Sequence, residues 1–186
     1  MAFPKQFAEF VARTRVVAGF IVLGLFLWLS TPTLESVALG GAIGLIGVLI
    51  RAWAAGHLAK NQQLATSGPY AYVRNPLYVG TLIAGIGFGV AGAHWAIAAL
   101  LVAFFILYYL PVVEEEERHL AKILPGYDEY REKTPKLLPR LTPAYLGGPS
   151  FRRGLYLRNQ EYQALFGYLF VLAILAGKAV LVQGPS

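Results

Sequence analysis

Apolar stretches long enough to cross a bilayer alternate with polar segments along this chain. A membrane-spanning helix needs about 20 mostly apolar residues. This criterion predicts five spanning helices, at 16–32, 36–55, 76–93, 95–113 and 164–182. The third is the least regular, because it is short and rich in glycine. We therefore predict an all-α integral membrane protein with about five transmembrane helices.

The polar residues concentrate in two segments, 57–75 and 114–163, which carry most of the side chains capable of chemistry. No internal repeat or low-complexity linker divides the chain, so we predict a single membrane domain over residues 1–186. Its predicted parts are N-terminal helices (1–59), a candidate catalytic core (60–140), and an interfacial connector with the last transmembrane helix (141–186).

The charges predict an orientation. The chain has 16 lysines and arginines and a formal net charge of +6. All of these cations except Lys178 fall on one side of the five-helix arrangement. The positive-inside rule then predicts a cytoplasmic N-terminus, a cytoplasmic site and an external C-terminus, in a prokaryotic inner membrane or an ER-type membrane. The basic balance indicates contact with anionic lipid and no nucleic-acid partner.

Several chemistries are excluded by composition. The chain has no cysteine, which rules out disulfides, thiolate metal sites and a cysteine nucleophile. Its three histidines are dispersed without metal-ligand spacing, so no metal site is predicted. Neither a phosphate-binding loop nor a GxGxxG motif is present.

The segment TSGPYAYVRNPLYVG (66–80) interrupts the apolar pattern just before the third span. Asn75 followed by Pro76 predicts a helix start, with the Asn75 side chain as the cap. Tyrosines 70, 72 and 78 fit an interfacial aromatic belt.

Arg74 fits this helix start poorly, because a cation at a helix N-terminus opposes the helix dipole. The conflict disappears if an anion lies there, which a cofactor carboxylate, a lipid phosphate or a protein carboxylate could supply. The alternative is an arginine that snorkels to the lipid headgroups.

The glycines of the third span, including Gly80, Gly85 and Gly87, allow close approach of another helix or of a flat ligand. Gly40 and Gly44 form a GxxxG pair in the second span, which is a hint of helix association only. A homo-oligomer has no other support in the sequence.

The fourth span ends in YYLPVVEEEERHL (108–120), where Pro111 is expected to kink the helix and free the carbonyl near Leu107. Four consecutive glutamates sweep about 300° around a helix, so at least one must face the other helices. An inward carboxylate near the bilayer indicates function. The alternative is a solvated helix extension with i,i+4 pairs such as Glu114–Arg118.

The following segment, LPGYDEYREKTPKLLPR (124–140), places Tyr127 and Tyr130 on one helix face. Its basic side chains also fit an amphipathic segment held on anionic headgroups.

These motifs together resemble the isoprenylcysteine carboxyl methyltransferase family, whose members are integral membrane enzymes dependent on S-adenosyl-L-methionine and which also includes phospholipid N-methyltransferases. The match covers roughly residues 60–140. By position, the family's Arg-His-Pro-x-Tyr-x-Gly signature falls on Arg74, Asn75, Pro76, Tyr78 and Gly80, and its GxG falls on Gly85 and Gly87. Its paired glutamates fall on Glu116 and Glu117, and its closing pattern falls on Tyr127, Tyr130, Arg131 and Pro139.

The resemblance implies a cytoplasmic pocket for S-adenosyl-L-methionine and a lipid or hydrophobic acceptor that arrives from the bilayer. It implies catalytic roles for Arg74, Tyr78, Tyr130 and Arg131. It implies cofactor contacts for Tyr70, Asn75, Pro76, Gly80, Gly85, Gly87, Glu116, Glu117 and Tyr127.

The chain departs from the family at two places, since Asn75 replaces the usual histidine and a further span follows Pro139. We expect O-methyl transfer to a prenylcysteine-like carboxylate. Phospholipid N-methylation, methylation of a small thiol, and a non-catalytic lipid-binding module remain as alternatives.

Overall fold

A computed structural model describes the backbone of residues 4–182 and the side chains of this range except those at positions 5, 8, 9, 12 and 182. Within this range the regular structure is entirely helical, which confirms the predicted all-α class. The longer helices are α1 (Lys5–Leu29), α2 (Leu34–Ala55), α3 (Pro76–Ala91), α4 (Trp95–Phe104), α5 (Leu110–Ile123) and α8 (Tyr162–Val182). The shorter elements are α6 (Tyr127–Lys133), α7 (Arg153–Arg158) and a 3₁₀ turn at Gly68–Ala71.

The membrane-spanning prediction is confirmed for most of the chain. Among the described residues, three helices are long and apolar enough to cross a membrane, at Leu34–Ala55, Trp95–Ile123 and Tyr162–Leu181. The shorter apolar helix Pro76–Ala91 matches the glycine-rich third span. Helix α1 contains most of the first predicted span. The count of five spans and the orientation of the termini stay predictions.

Helices α4 and α5 form one continuous rod, joined by a π-helical turn at Phe105–Tyr109. Pro111 has no amide hydrogen to donate to the Leu107 carbonyl, and a π turn is a common way to absorb such a local defect. The helix therefore continues past the proline to Ile123. As a result, the glutamates at 114–117 lie on a helical extension of the fourth span.

Glycine allows α2 and α3 to pack with their backbones in contact. A Cβ added to Gly47 would overlap the backbone of Gly80 and Ala84, and one added to Gly87 would overlap the backbone of Gly44. Small residues serve this purpose in membrane helices, where close van der Waals contact drives association. The GxxxG glycines of α2 are thus used within the chain.

Helix α8 completes the bundle. Leu175 and Ala179 are fully buried against Phe26 of α1 and Ile97 of α4. The Lys178 ammonium donates to the carbonyls of Leu27 (2.8 Å) and Trp28 (3.1 Å), so it caps the C-terminal turn of α1.

Segments 66–75 and 135–144 are joined by backbone hydrogen bonds, and this pairing builds the polar end of the molecule. The amides of Arg74, Arg140 and Ala144 donate to the carbonyls of Pro135 (2.9 Å), Tyr72 (3.0 Å) and Ala71 (2.7 Å). The chain after α6 is thereby held over the start of α3.

The close glycine contact between α2 and α3 predicts that one added methyl group lowers the stability of the fold. Gly47→Ala should destabilise the protein by about 1–3 kcal/mol, because backbone atoms at the α2–α3 contact must move apart. Gly167→Ala is the matched control, since a Cβ there meets no atom within 4 Å. Thermal unfolding in detergent measures both. Equal midpoints for the two variants would show that α2 and α3 are not in backbone contact.

Candidate active site

The Glu117 carboxylate is the centre of a buried polar cluster between α3, α5 and the segment after α6. Only 6% of this residue is exposed. Its Oε1 accepts a hydrogen bond from the Asn75 amide (2.8 Å) and lies 3.3 Å from Arg74 Nε. Its Oε2 lies 3.5 Å from Lys136 Nζ. A buried carboxylate requires such partners, and here cations and an amide surround it.

The anion expected beside Arg74 is therefore supplied by a protein carboxylate. The Arg74 side chain is only 8% exposed, so it does not snorkel to the headgroups. Its Nη1 donates to the Arg131 carbonyl (3.1 Å). The Arg74 Nε is buried and has no hydrogen-bond acceptor within the described structure, because the Glu117 oxygen lies at ion-pair distance without hydrogen-bond geometry.

The predicted capping role of the Asn75 side chain is wrong. Asn75 precedes α3 and Pro76 occupies the first turn, as expected, but the Asn75 side chain makes no capping bond. Its amide donates to Glu117 and to the Lys136 carbonyl (3.2 Å) instead. A hydrogen bond to a buried charge contributes more than a neutral capping bond, and the Tyr78 and Val79 amides already donate to the Asn75 carbonyl (3.1 Å each).

A second carboxylate, Glu116, binds a tyrosine of α3. The Tyr78 hydroxyl donates to Glu116 Oε2 (2.9 Å). The Tyr78 ring packs edge-on against Tyr109 of the π turn, with centroids 5.9 Å apart. Glu116 and Glu117 thus both turn inward, as the sweep of the four glutamates predicted. Arg118 meanwhile pairs with Glu114 (3.5 Å), as expected for the i,i+4 spacing, and with Glu115 (3.2 Å). Glu114 also lies 3.5 Å from Lys136 Nζ.

The predicted tyrosines form a buried layer behind the ion pair. Tyr130 and Tyr127 pack edge-on at 6.1 Å, and the Tyr130 hydroxyl donates to the Tyr70 carbonyl (2.9 Å). Burial raises the pKa of Tyr70, Tyr127 and Tyr130 above the ordinary value of a phenol. These phenols therefore stay protonated at neutral pH and do not act as bases.

The remaining predicted residues divide between the cluster and the helix contacts. The Arg131 side chain is exposed, although its charge acts on Tyr127. Gly80 and Gly87 pack against α2, whereas a Cβ on Gly85 meets no atom within 4 Å. Gly85 lies on the wall of a cavity. Catalysis by Arg131 and cofactor contact by the glycines stay predictions.

Two adjoining apolar cavities lie between α1 and the α3–α5 helices. The larger has a volume of about 570 Å³ and the smaller about 370 Å³. Both are lined by Gly19, Leu23, Phe104 and Tyr109, so they form one groove along α1. Because Tyr109 also contacts Tyr78, a single aromatic ring separates the groove from the tyrosine that binds Glu116.

Sequence reasoning missed several residues around the site. The groove has no motif, because its walls are ordinary apolar side chains. Arg51 makes a two-point ion pair with Glu161 at 2.7 and 3.0 Å and donates to Thr81 Oγ1 (2.6 Å). No local signal could have paired Arg51 with a residue 110 positions away.

The cluster has the chemistry that S-adenosyl-L-methionine requires, because the donor carries an ammonium, a carboxylate and a ribose. Glu116 keeps its Oε1 outside the bond to Tyr78 and suits the ammonium or the ribose hydroxyls. The buried Arg74 Nε suits an anionic oxygen. The residues present therefore fit this cofactor.

The buried ion pair predicts that neutralising its carboxylate strongly lowers the free energy of unfolding. Glu117→Gln should destabilise the fold by about 3–5 kcal/mol, because it leaves the buried Arg74 charge uncompensated. The double variant Arg74→Gln/Glu117→Gln should be more stable than Glu117→Gln alone. Glu129→Gln, on the exposed face of α6, is the control and should change little. Unfolding in detergent measures all of them, and additive effects of the two cluster substitutions would argue against the pair.

Three known proteins resemble the chain, two of them over most of its length. A cobalt-zinc-cadmium resistance protein of Cupriavidus metallidurans is 36% identical over 138 residues, which cover 69% of this chain and 62% of that protein. A nickel-cobalt-cadmium resistance protein of Alcaligenes xylosoxydans xylosoxydans is 29% identical over 157 residues, covering 76% of this chain and 72% of that protein. Protein-S-isoprenylcysteine O-methyltransferase of Schizosaccharomyces pombe is 31% identical over 81 residues, covering 43% and 34%. No solved structure matches significantly.

The family comparison covers α2 to α5 and most of α1. The phospholipid methyltransferase family matches residues 14–126, which include Arg74, Asn75 and both inward glutamates and end just before Tyr127. This match and the similarity to the Schizosaccharomyces pombe enzyme confirm the resemblance found in the motifs. The chain belongs to the phospholipid methyltransferase family of membrane proteins.

Proposed function

We propose that this protein is an S-adenosyl-L-methionine-dependent methyltransferase whose acceptor is a lipid-like or other hydrophobic molecule of the bilayer. The observation that carries the proposal is the contact between the polar cluster and the apolar groove. Glu116 binds the Tyr78 hydroxyl, and the Tyr78 ring packs on Tyr109, which lines both cavities. A polar donor and an apolar acceptor can therefore meet at this point.

The polar cluster provides the groups that would hold the cofactor. Glu116 and Glu117 supply carboxylates, Arg74 a guanidinium and Asn75 an amide. Tyr70 and Tyr127 support this cluster from behind. When bound, S-adenosyl-L-methionine supplies an electrophilic methyl group on a sulfonium sulfur.

The chain itself contributes positioning and a dry environment. Methyl transfer of this kind is an in-line displacement, which is accelerated mainly by orientation and by the electrostatic field of the site. The apolar side chains of the groove favour exclusion of water beside Tyr109, which lines both cavities. The Glu116 carboxylate places negative charge at the meeting point and favours a cation bound there.

Whether the reaction needs a base depends on the atom that accepts the methyl group. A carboxylate acceptor needs no base, and a prenylcysteine-like carboxylate is the acceptor we propose. An amine or thiol acceptor must lose a proton. Tyr127 and Tyr130 cannot remove it, because burial raises the pKa of both phenols. Glu116 is then the carboxylate best placed to do so.

Two relatives carry names that refer to resistance to cobalt, zinc, nickel or cadmium. Among the described residues no group of three or more histidine, aspartate or glutamate side chains is placed to hold a metal ion. We propose that a role in metal tolerance shared with these relatives would act through methylation of a membrane component, in keeping with the family to which the chain belongs.

Cofactor binding is tested by calorimetric titration of S-adenosylhomocysteine into the protein in nanodiscs. We expect saturable binding to the wild type and at least about tenfold weaker binding to Glu116→Gln, because a charge-assisted contact contributes about 1.5–3 kcal/mol. Glu115→Gln is the matched control, since Glu115 pairs with Arg118. Absence of binding in folded wild-type protein would favour the non-catalytic lipid-binding module.

The acceptor is identified by transfer of a tritiated methyl group from S-adenosyl-L-methionine. The panel consists of a prenylated cysteine, phosphatidylethanolamine and a long-chain thiol, each at the same mole fraction in the bilayer. We expect label in the prenylated cysteine. Label in the amine alone or in the thiol alone would show that this compound, and not the carboxylate, is the acceptor. Label in none of the three would contradict methyltransferase activity toward these classes.

A further inference from the structure

Arg15 of α1 lies at one end of the apolar groove. It lines the smaller cavity together with Tyr108, Tyr109 and Val112. Among the residues that line the two larger cavities, Arg15 is the one lysine or arginine.

The position of Arg15 along α1 gives the groove a direction. Arg15, Gly19, Leu23 and Phe26 recur at helical spacing and share one face of α1. They cover about 16 Å along the helix axis, at 1.5 Å per residue. The far end reaches His94 and Trp95 at the α3–α4 turn. The groove is thus apolar over most of its length and cationic at one end.

The cationic end is the one beside the candidate active site. Tyr109 and Val112 line the cavity there, and they lie on the turn of helix just before the four glutamates. Tyr109 also packs against Tyr78, whose hydroxyl binds Glu116. The Arg15 side chain is exposed, and no described carboxylate forms an ion pair with it.

We propose that Arg15 determines acceptor specificity by binding the anionic head of an amphiphile whose apolar tail lies in the groove. The inference rests on the proposed function for the identity of this amphiphile as the acceptor. A guanidinium binds carboxylate and phosphate oxygens alike, so either head group fits this chemistry. The mostly apolar walls favour an apolar tail over a polar one.

The test is equilibrium binding of three probes with the same tail, namely palmitate, hexadecyl phosphate and hexadecanol. The full chain is held in nanodiscs of neutral lipid, and each probe is expressed as its mole fraction in the bilayer. Wild-type protein should bind the anions about tenfold more tightly than the alcohol, as one charge-assisted contact provides. Arg15→Gln should abolish this preference and leave binding of the alcohol unchanged.

Two further variants separate this specific role from a structural or purely electrostatic one. Arg15→Lys keeps the charge and should retain part of the preference. Arg13→Gln removes an exposed cation two residues earlier on α1 that lines neither cavity, and it should behave as the wild type. A preference confined to palmitate or to hexadecyl phosphate would support the inference and identify the head group.

The inference would be overturned by any of four results. The first two are that Arg15→Gln keeps the preference for the anions, or that Arg13→Gln loses it equally. The other two are that Arg15→Gln weakens binding of the alcohol as much as binding of the anions, or that the wild type shows no preference for the anions. The binding measurement uses no methyl donor. The binding assay therefore tests the role of Arg15 separately from methyl transfer. Failure of the methyltransferase proposal is detected by the tritium assay instead.

Discussion

The burial of the Glu117 carboxylate constrains the polar end of this protein more than any other interaction. Removing an ion from water costs several kcal/mol, which must be offset by partners in good geometry. Those partners come from the residues before α3 and from the segment after α6, through Arg74, Asn75 and Lys136. The charge thus fixes where α3 begins relative to α5 and holds the 134–140 segment over both. The backbone pairing of segments 66–75 and 135–144 has the same effect.

The structure separates two kinds of environment over a short distance. Glu116 and Glu117 are neighbours on α5, yet Glu117 is enclosed by cations while Glu116 binds Tyr78 beside the groove. Their roles differ for this reason. Glu117 organises the site, and Glu116 presents charge toward the point where an apolar acceptor and a polar donor would meet. The π turn at Phe105–Tyr109 belongs to this arrangement, because it carries the Tyr109 ring that connects the groove to Tyr78.

The sequence predicted the helical class and the main site residues because charged side chains are conspicuous in so apolar a chain. Arg74 and the paired glutamates stood out as costly groups near the bilayer that needed partners. The choice among partners was not predictable, since Asn75 and Glu117 are 42 positions apart and their contact depends on the tertiary fold. The local Asn-Pro pattern favoured capping, and the buried charge overrode it.

Other features lay beyond sequence reasoning for different physical reasons. Gly80 and Gly85 look alike in the sequence, but Gly80 packs against α2 and Gly85 lines the groove. Only the rotation of α3 against its neighbours distinguishes them. The volume of the groove depends likewise on the spacing of α1 from α3 and α4. The significance of Arg15 appears only once that groove is known.

The most direct test of this account is an experimental structure of the protein in a lipid nanodisc with S-adenosylhomocysteine bound. We predict that the ligand lies beside the start of α3, with a polar group within hydrogen-bond distance of the Glu116 carboxylate and its sulfur facing the Tyr78–Tyr109 contact. A ligand bound elsewhere, for example at the small cavity lined by His57 and Arg152, with the Tyr78–Glu116 bond intact, would contradict it.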